Sequence, residues 1–219
     1  MERVPERELM DDPAQAQAYA AADFSEPHSA FVRYFRERFP AHVPTRVLDL
    51  GCGPADVTLR FLAAFPGCRA LAVDGSAPML ALARAAVDRA GVSARVDWRQ
   101  AHLPAALPGG FDTVLSNSLL HHLADPLVLW RQVRAAAAPG AAVLVMDLRR
   151  PATRAQAQAL VDTSAANAPD ILRRDFLQSL CAAYTPSEIA AQLRQAGLTL
   201  ALEEIGDRHV LVYGALAPA

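Results

Sequence analysis

The sequence predicts an α/β protein with helices on both faces of a doubly wound, mostly parallel sheet. Apolar runs of strand length alternate with Ala- and Leu-rich helical segments from residue 45 onward. These runs lack polar alternation, which is typical of strands buried on both faces. The last two runs, at 198–205 and 209–213, are joined by only three residues and must pair as a hairpin. These two strands are therefore expected to be antiparallel to each other.

The composition is that of one ordinary globular domain. The chain has 219 residues, of which 53% are hydrophobic, and a formal net charge of −2. This length suits one domain with elaborations. All 21 basic residues are arginine, so no lysine is available as a Schiff-base nucleophile. Because the charge lacks the basic excess of nucleic-acid binders, we expect no nucleic-acid partner.

Cysteine use and apolar run length bear on the compartment. The three cysteines are widely spaced in apolar surroundings, which favours neither a disulfide framework nor a metal site. The first residues lack the apolar core of a signal peptide, and no run approaches the length of a membrane span. We therefore expect a cytoplasmic protein without a membrane partner. Nothing in the sequence indicates an oligomeric state.

Two helices precede the first strand. Residues 1–12 are charged and are expected to be loose. Asp12-Pro13 is typical of an N-cap followed by proline, and it opens a short helix to about residue 22. A second helix starts near Ser25 and carries aromatic residues at helical spacing. We interpret residues 1–44 as an N-terminal helical cap and residues 45–219 as the main domain.

The first strand leads into a glycine turn. The apolar run Val47–Leu50 stops at Gly51-Cys52-Gly53, and Pro54 then suits the first turn of a helix. Glycine at both turn positions permits positive φ and lets a ligand approach the backbone. The next helix directs unpaired N–H groups and the positive end of its dipole at the turn. We expect a ligand with a sugar and a charged tail there.

Strands and helices alternate after this turn. The pattern predicts a helix at 56–64, a strand at 70–73, a helix from Ser76 to about residue 90 and a strand at 94–98. Residues 100–110 are interrupted by prolines and glycines, so this crossover is expected to lack a full helix.

The fourth and fifth strands are predicted at 111–115 and 141–146, with a helix beginning after Asp125-Pro126 between them. Residues 151–184 have helical composition and are longer than a connection needs. We interpret them as a helical insertion that forms a cap together with the N-terminal helices. The Thr185-Pro186-Ser187-Glu188 run is a capping-box pattern that opens the last helix.

Asp74 narrows the class of ligand. It ends the second strand, about 20 residues after the glycine turn, where an acid can accept both hydroxyls of a ribose. Asp56 stands where a dinucleotide-binding turn has its third glycine. A nucleoside with an amino-acid tail therefore fits better than a dinucleotide, although a nicotinamide-dependent oxidoreductase shares the layout. Capping of the following helix is the alternative role for Asp74.

The chain resembles the class I S-adenosylmethionine-dependent methyltransferases, in the branch of small bacterial enzymes that act on small molecules. The resemblance is carried by the glycine turn, by Ala72–Ser76, by residues 115–122 and by the closing helix and hairpin. It covers about residues 45–214 and implies a Rossmann-like, seven-stranded sheet with an antiparallel last strand. It further implies methyl transfer by in-line displacement to O, N or S of a small metabolite, with S-adenosylhomocysteine as product.

The resemblance also implies the cofactor-binding residues. Asp49 and the glycines would line the methionine end of S-adenosylmethionine, and Asp74 would hold the ribose. After strand three the family usually has an acid that binds the adenine amino group, where this chain has Gln100-Ala101. The implied cofactor-binding set is Tyr19, Asp49, Gly51, Gly53, Asp74, Gly75, Met79, Gln100, Ala101, Ser116 and Asn117.

A histidine pair is the candidate catalytic group. A base is needed only if the acceptor must lose a proton, and His121 is the first candidate, followed by His122. Packing within the sheet edge is the alternative. No third ligand accompanies the pair at suitable spacing, so no metal site is expected. After strand five, Asp147, Arg149 and Arg150 are candidate substrate-binding residues, with solvated loop arginines as the alternative.

Other functions compatible with an S-adenosylmethionine site differ in the acceptor. DNA amino-methyltransferases carry a proline pair after strand four, which Ser116-Asn117-Ser118-Leu119 lacks. A protein or tRNA methyltransferase is the first remaining alternative. The second is a non-catalytic protein that binds S-adenosylmethionine or S-adenosylhomocysteine.

Overall fold

The computed structural model describes residues 1–6 and 9–216. Within these residues a seven-stranded sheet has the order β3-β2-β1-β4-β5-β7-β6. Its strands are β1 (Arg46–Leu50), β2 (Arg69–Asp74), β3 (Val96–Gln100), β4 (Phe111–Asn117), β5 (Ala137–Leu148), β6 (Ala201–Ile205) and β7 (His209–Ala215).

The sheet confirms the predicted fold class. Strands β1 to β5 pair in parallel, whereas β7 lies antiparallel between β5 and β6. The predicted hairpin is present, with Ile205 paired to His209 across its turn. Strand β1 pairs with β2 on one side and β4 on the other, so the direction of winding reverses there. A crevice forms at the carboxyl ends of strands at such a point.

Helices cover both faces of the sheet, as expected. One core cluster joins the sheet to the helices that precede β1, follow β1 and follow β2, and a second joins it to the helices between β4 and β5 and before β6. The crossover between β3 and β4 contains no α-helix. The helices are α1 (Pro13–Ala21), α2 (Ser25–Arg38), α3 (Asp56–Ala64), α4 (Ala77–Arg89), α5 (Leu127–Ala136), α6 (Arg154–Ser164), α7 (Asp170–Ala182) and α8 (Pro186–Ala196).

The two N-terminal helices have different places in the fold. Helix α2 packs in the core, where Phe35 lies edge-on to Phe61 of α3 with ring centroids 4.8 Å apart. Helix α1 instead contacts α4 and α7. Helices α6 and α7 form the predicted insertion after β5. The cap over the carboxyl edge of the sheet therefore consists of α1, α6 and α7. No helix in the described part of the chain combines the length and apolarity needed to cross a bilayer.

Residues 1–6 form a docked segment, here called the N-terminal strap, and the expectation that they are loose was wrong. The Arg3 guanidinium donates to the backbone oxygens of Ala182 at 2.5 Å and His121 at 2.9 Å. It also stacks 4.1 Å from the centroid of the Tyr184 ring. The sequence did not predict the strap because the residues that it contacts lie far away along the chain.

We predict that Arg3→Ala releases the strap. Hydrogen bonds from a charged donor each contribute about 1.5–3 kcal/mol. Because Arg3 is partly exposed, we expect its removal to lower the free energy of docking of the strap by only about 1–2 kcal/mol. The amide of Val4, which donates to Cys181, should then exchange its hydrogen much faster. Arg33→Ala is the matched control, because Arg33 is an exposed helix residue. Unchanged Val4 exchange in Arg3→Ala would contradict the prediction.

Candidate functional site

A cavity of about 650 Å³ lies at the carboxyl edge of the parallel strands. The glycine turn and the end of β2 form one wall, and the polar edge after β4 forms another. Residues 9–10, α1, the end of α6, the 165–169 connection and α7 cover it. This volume falls within the roughly 300–1,000 Å³ range of small-molecule sites.

The two glycines of the turn serve different purposes. Both have positive φ, 74° at Gly51 and 51° at Gly53. A Cβ at Gly51 would lie 2.9 Å from the Cβ of Leu119, so this glycine permits close packing of the chain. A Cβ at Gly53 would meet nothing within 4 Å. The open space at Gly53 lets a ligand approach the backbone.

Asp74 orders the turn and faces the cavity. Its Oδ2 accepts from the Gly53 amide at 2.9 Å, and its Oδ1 accepts from the Ser76 amide at 2.8 Å. Burial raises the pKa of Asp74, although these amide donors act in the opposite direction. The N-cap of α4 is Ser76, whose hydroxyl oxygen accepts from the Met79 amide. Each carboxylate oxygen of Asp74 retains acceptor capacity for a ligand hydroxyl.

Asp49 is a carboxylate without a cationic partner among the described residues. It is 2% exposed at the end of β1, and the Thr58 hydroxyl donates to its Oδ2 at 2.5 Å. Burial raises the pKa of Asp49 to about 6; the Thr58 hydrogen bond opposes this rise, and the charge of Asp74 adds to it. A positively charged ligand group in the cavity would stabilise the ionised form.

Asn117 provides an unused acceptor at the end of β4. Its Oδ1 is buried and has no hydrogen-bond partner within residues 1–6 and 9–216. The residue also lines the cavity. Buried side-chain oxygens normally accept a hydrogen bond, so we expect Oδ1 of Asn117 to accept from an N–H or O–H group of a ligand.

His121 is held by a carboxylate beneath the cavity. Its Nδ1 lies 2.5 Å from Oδ1 of Asp147, and both side chains are buried. Asp147 also accepts from the backbone amides of Leu120 and Leu148. Burial alone lowers the pKa of His121, but the charge and hydrogen bond of Asp147 raise it overall. Asp147 therefore fixes the orientation of the ring and leaves Nε2 for other contacts.

Comparisons with known proteins agree with this geometry. Residues 48–143 match the family model of a methyltransferase domain. Trans-aconitate 2-methyltransferase of Azoarcus sp. is 31% identical over 128 residues, which cover 58% of this chain and 48% of that protein. Ubiquinone biosynthesis O-methyltransferase of Azotobacter vinelandii is 33% identical over 178 residues, covering 78% of this chain and 69% of that protein.

The chain belongs to the S-adenosylmethionine-dependent methyltransferases. The chain also shares its fold with a SAM-dependent methyltransferase from Aquifex aeolicus, with a TM-score of 0.68 and 18% identity. That likeness covers 94% of this chain and 99% of the other. The match to the Azoarcus relative spans about half of that protein's length.

S-adenosylmethionine is the cofactor of this family, and the residues of the methyltransferase fit it. The molecule carries a ribose, an amino group and positive charge. The cavity presents Asp74 with acceptor capacity, Asn117 with an unpartnered oxygen and Asp49 without a cation. Open space at Gly53 leaves room for the molecule beside the backbone.

Most of the residues predicted from sequence line the cavity. The structure brings to it the backbone of the glycine turn, the end of β2, helix α1 and the edge after β4. The predicted residues lining it are Tyr19, Asp49, Gly51, Gly53, Asp74, Gly75, Met79, Ala101, Asn117, His121 and His122.

Two predicted cofactor residues lie outside the cavity lining. Gln100 is exposed, and its Nε2 donates to the Gly75 oxygen at 3.4 Å. Ser116 is fully buried, and its hydroxyl donates to the Leu50 oxygen at 2.9 Å. In these positions Ser116 links β4 to β1, and Gln100 braces the loop after β2.

The predicted substrate-binding residues also lie outside the lining. Asp147 sits beneath His121. Arg149 pairs with Glu204 at 2.9 Å, on the closing hairpin. Arg150 pairs with Glu188 at 2.6 Å and donates to the backbone oxygens of Met1 and Ala183. The chain after β5 turns both guanidinium groups away from the cavity. Arg149 therefore contacts the closing hairpin, whereas Arg150 contacts the strap and α8.

Sequence reasoning missed several polar residues around the cavity. His28 of α2 lies 2.6 Å from Asp56 at the start of α3, and both line the cavity. Asp175 of α7 accepts from Gln15 of α1 at 2.7 Å and lines it as well. Glu6 of the strap approaches His121 and His122. No local pattern marks Glu6, because its partners are distant along the chain.

Proposed function

We propose that the chain transfers a methyl group from S-adenosylmethionine to an oxygen, nitrogen or sulfur atom of a small metabolite by in-line displacement. The observation that carries the proposal is a single cavity lined by two chemically different groups of residues. Its lining includes the glycine turn with Asp74, here called the cofactor end, and His121 with His122, here called the histidine end. Cofactor and acceptor can therefore meet without crossing bulk water.

The cofactor end suits each part of the molecule. Asp74 would accept the ribose hydroxyls while it keeps its bonds to the Gly53 and Ser76 amides. Asp49 would pair with positive charge at the methionine end, and Asn117 would accept from the amino group. Met79 and Ala101 supply apolar surface for the adenine.

The protein contributes positioning and exclusion of water. S-adenosylmethionine, when bound, supplies an electrophilic methyl group. Orientation of two reacting groups can lower a barrier by about 7–11 kcal/mol in favourable models. Tyr19 of α1 and Phe176 of α7 cover the cavity, so the acceptor is shielded from solvent. His121 and His122 line the same cavity, where they can receive a proton if the acceptor loses one.

A small acceptor is favoured over a protein or tRNA. The cap of α1, α6 and α7 covers the cavity, so a macromolecule would have to displace it to reach the histidine end. The relatives named trans-aconitate 2-methyltransferase and ubiquinone biosynthesis O-methyltransferase act on small molecules, which supports the same class here. The net charge of −2 provides little attraction for phosphates.

Two measurements test this proposal together. S-adenosylhomocysteine at 100 times its dissociation constant should stabilise the fold by about 2.7 kcal/mol, whereas NADH should not. Label from methyl-labelled S-adenosylmethionine should enter the small-molecule fraction of a cell extract. Label confined to protein or RNA would support a macromolecular acceptor instead. A thermal shift without label in any fraction would support the non-catalytic alternative.

A further inference from the structure

Three potential metal ligands converge at the histidine end of the cavity. Glu6 comes from the N-terminal strap, and His121 and His122 come from the short turn after β4. Oε1 of Glu6 lies 3.5 Å from Nε2 of His121 and 3.4 Å from Nδ1 of His122. Their side chains are only 12%, 3% and 13% exposed, respectively. These three side chains are therefore largely shielded from bulk solvent.

These separations are longer than good hydrogen bonds, which measure about 2.7–3.2 Å. Oε1 of Glu6 is buried and has no hydrogen-bond partner in the part of the chain that the structure describes. Ligand atoms about 2.0–2.1 Å from a tetrahedral zinc ion lie about 3.3–3.4 Å from one another. The two separations from Glu6 are thus close to those around a bound ion.

A second layer of contacts orients the ligands. His121 is held through Nδ1 by Asp147 at 2.5 Å, which leaves Nε2 directed at Glu6. The Ser179 hydroxyl donates to Oε2 of Glu6 at 3.2 Å, which leaves Oε1 directed at the histidines. A carboxylate behind a ligating histidine is typical of zinc sites. Asp147 also adds negative charge close to the cluster.

We propose that Glu6, His121 and His122 bind one divalent transition-metal ion, for which Zn²⁺ is the best match to two imidazoles and a carboxylate. Three protein ligands leave an open coordination position, as in catalytic zinc sites. Because both histidines line the cavity, we expect that position on the cavity side. The sequence predicted no metal site because the third ligand lies in the distant strap.

The role of the ion rests on the proposed function and narrows the acceptor atom to the oxygen of a hydroxyl or the sulfur of a thiol, since Zn²⁺ binds both. With both histidines bound to it, the ion replaces them as the group that activates the acceptor. A metal-bound hydroxyl or thiol has a lowered pKa, so it releases its proton to a water molecule on the cavity side of the ion, and the oxygen or sulfur keeps the electron pair. That pair forms the bond to the methyl carbon. The bond from methyl carbon to the cofactor sulfur breaks, and its electrons remain on the cofactor sulfur.

Metal binding is tested on the full chain after chelator treatment, without cofactor or acceptor. Calorimetric titration with Zn²⁺ should give one site per chain, and Co²⁺ should show the visible bands of a tetrahedral complex. Glu6→Gln keeps the shape of the side chain but removes its charge, and we expect affinity to fall at least tenfold. His122→Asn should do the same. His102→Asn is the matched control, because His102 lines the same cavity outside the cluster.

Three outcomes would overturn the site: no Zn²⁺ binding, unchanged affinity in both cluster variants, or an equal loss in His102→Asn. Melting curves without metal establish that each variant is folded, and His122→Asn keeps the test decisive if Glu6→Gln loosens the strap. Since neither cofactor nor acceptor is present, failure here leaves the methyl-transfer proposal standing. Conversely, Zn²⁺ binding without methyl transfer would leave the site standing alone.

Discussion

Asp74→Asn is expected to weaken S-adenosylhomocysteine binding on the order of 100-fold. Hydrogen bonds to a charged acceptor each contribute about 1.5–3 kcal/mol, and every 1.4 kcal/mol changes affinity tenfold. Asparagine offers one acceptor oxygen, so it cannot hold both ribose hydroxyls as a carboxylate does. Isothermal titration of the two proteins measures the difference directly.

The contacts of Asp74 within the protein require a further control. Its carboxylate accepts from the amides of Gly53 and Ser76, so the substitution also disturbs the glycine turn. A cofactor analogue with a deoxyribose separates the two effects by a double-mutant cycle. The analogue should bind weakly to the native chain and lose little more on Asp74→Asn. Asp12→Asn, at the N-cap of α1, should leave affinity unchanged.

If Asp74→Asn lowers the affinity for S-adenosylhomocysteine and for the deoxyribose analogue by the same factor, the ribose assignment is contradicted. In that case Asp74 would act only through the turn, and the weakened affinity would reflect a misplaced Gly53. An Asp74→Asn variant that keeps full affinity and an unchanged melting temperature would exclude both roles.

The sheet and the position of the glycine turn could be predicted because their signals are local. Apolar runs mark the strands, and glycine spacing marks the turn, whose geometry depends on residues next to it in sequence. The closing hairpin was predictable for the same reason, since three residues cannot form a parallel crossover. Asp74 could be placed beside the glycine turn because it ends β2, and its role toward the ribose stays a prediction.

The histidine end of the cavity could be predicted only in part. His121 and His122 stand out in the sequence, but Glu6 joins them through contacts that no periodic pattern records. Arg3 likewise docks on residues 118 and 179 positions away. The sequence placed Arg149 and Arg150 correctly after β5 but could not show which way they point. Side-chain direction there depends on Glu204 and Glu188, from distant elements.

Asp49→Asn is expected to stabilise the protein without cofactor and to weaken cofactor binding. Burial raises the pKa of Asp49 from 3.8 to about 6 in the folded state, so the folded chain holds this proton more tightly than the unfolded chain. Stability therefore falls as pH rises between about 4 and 6, and the full destabilisation persists above that range. Two pKa units correspond to at most about 3 kcal/mol.

Melting curves at two pH values measure this effect. At pH values near 8, Asp49→Asn should melt at a higher temperature than the native chain, and near pH 4 the difference should shrink. Asp112→Asn is the opposite control. Burial alone raises the pKa of Asp112, but hydrogen bonds from Thr45 and Arg46 lower it overall, so loss of that carboxylate should destabilise the fold near pH 8.

Cofactor is expected to narrow the difference in stability between the two proteins. A positive group beside Asp49 favours the ionised carboxylate, so binding should offset the burial that destabilises the native chain. The native chain should therefore gain more stability from S-adenosylmethionine than Asp49→Asn does, with affinity differing at least tenfold. If Asp49→Asn binds the cofactor as tightly as the native chain, the buried charge does not serve the ligand. The Asp49 carboxylate would then serve only the fold, through its hydrogen bond with Thr58.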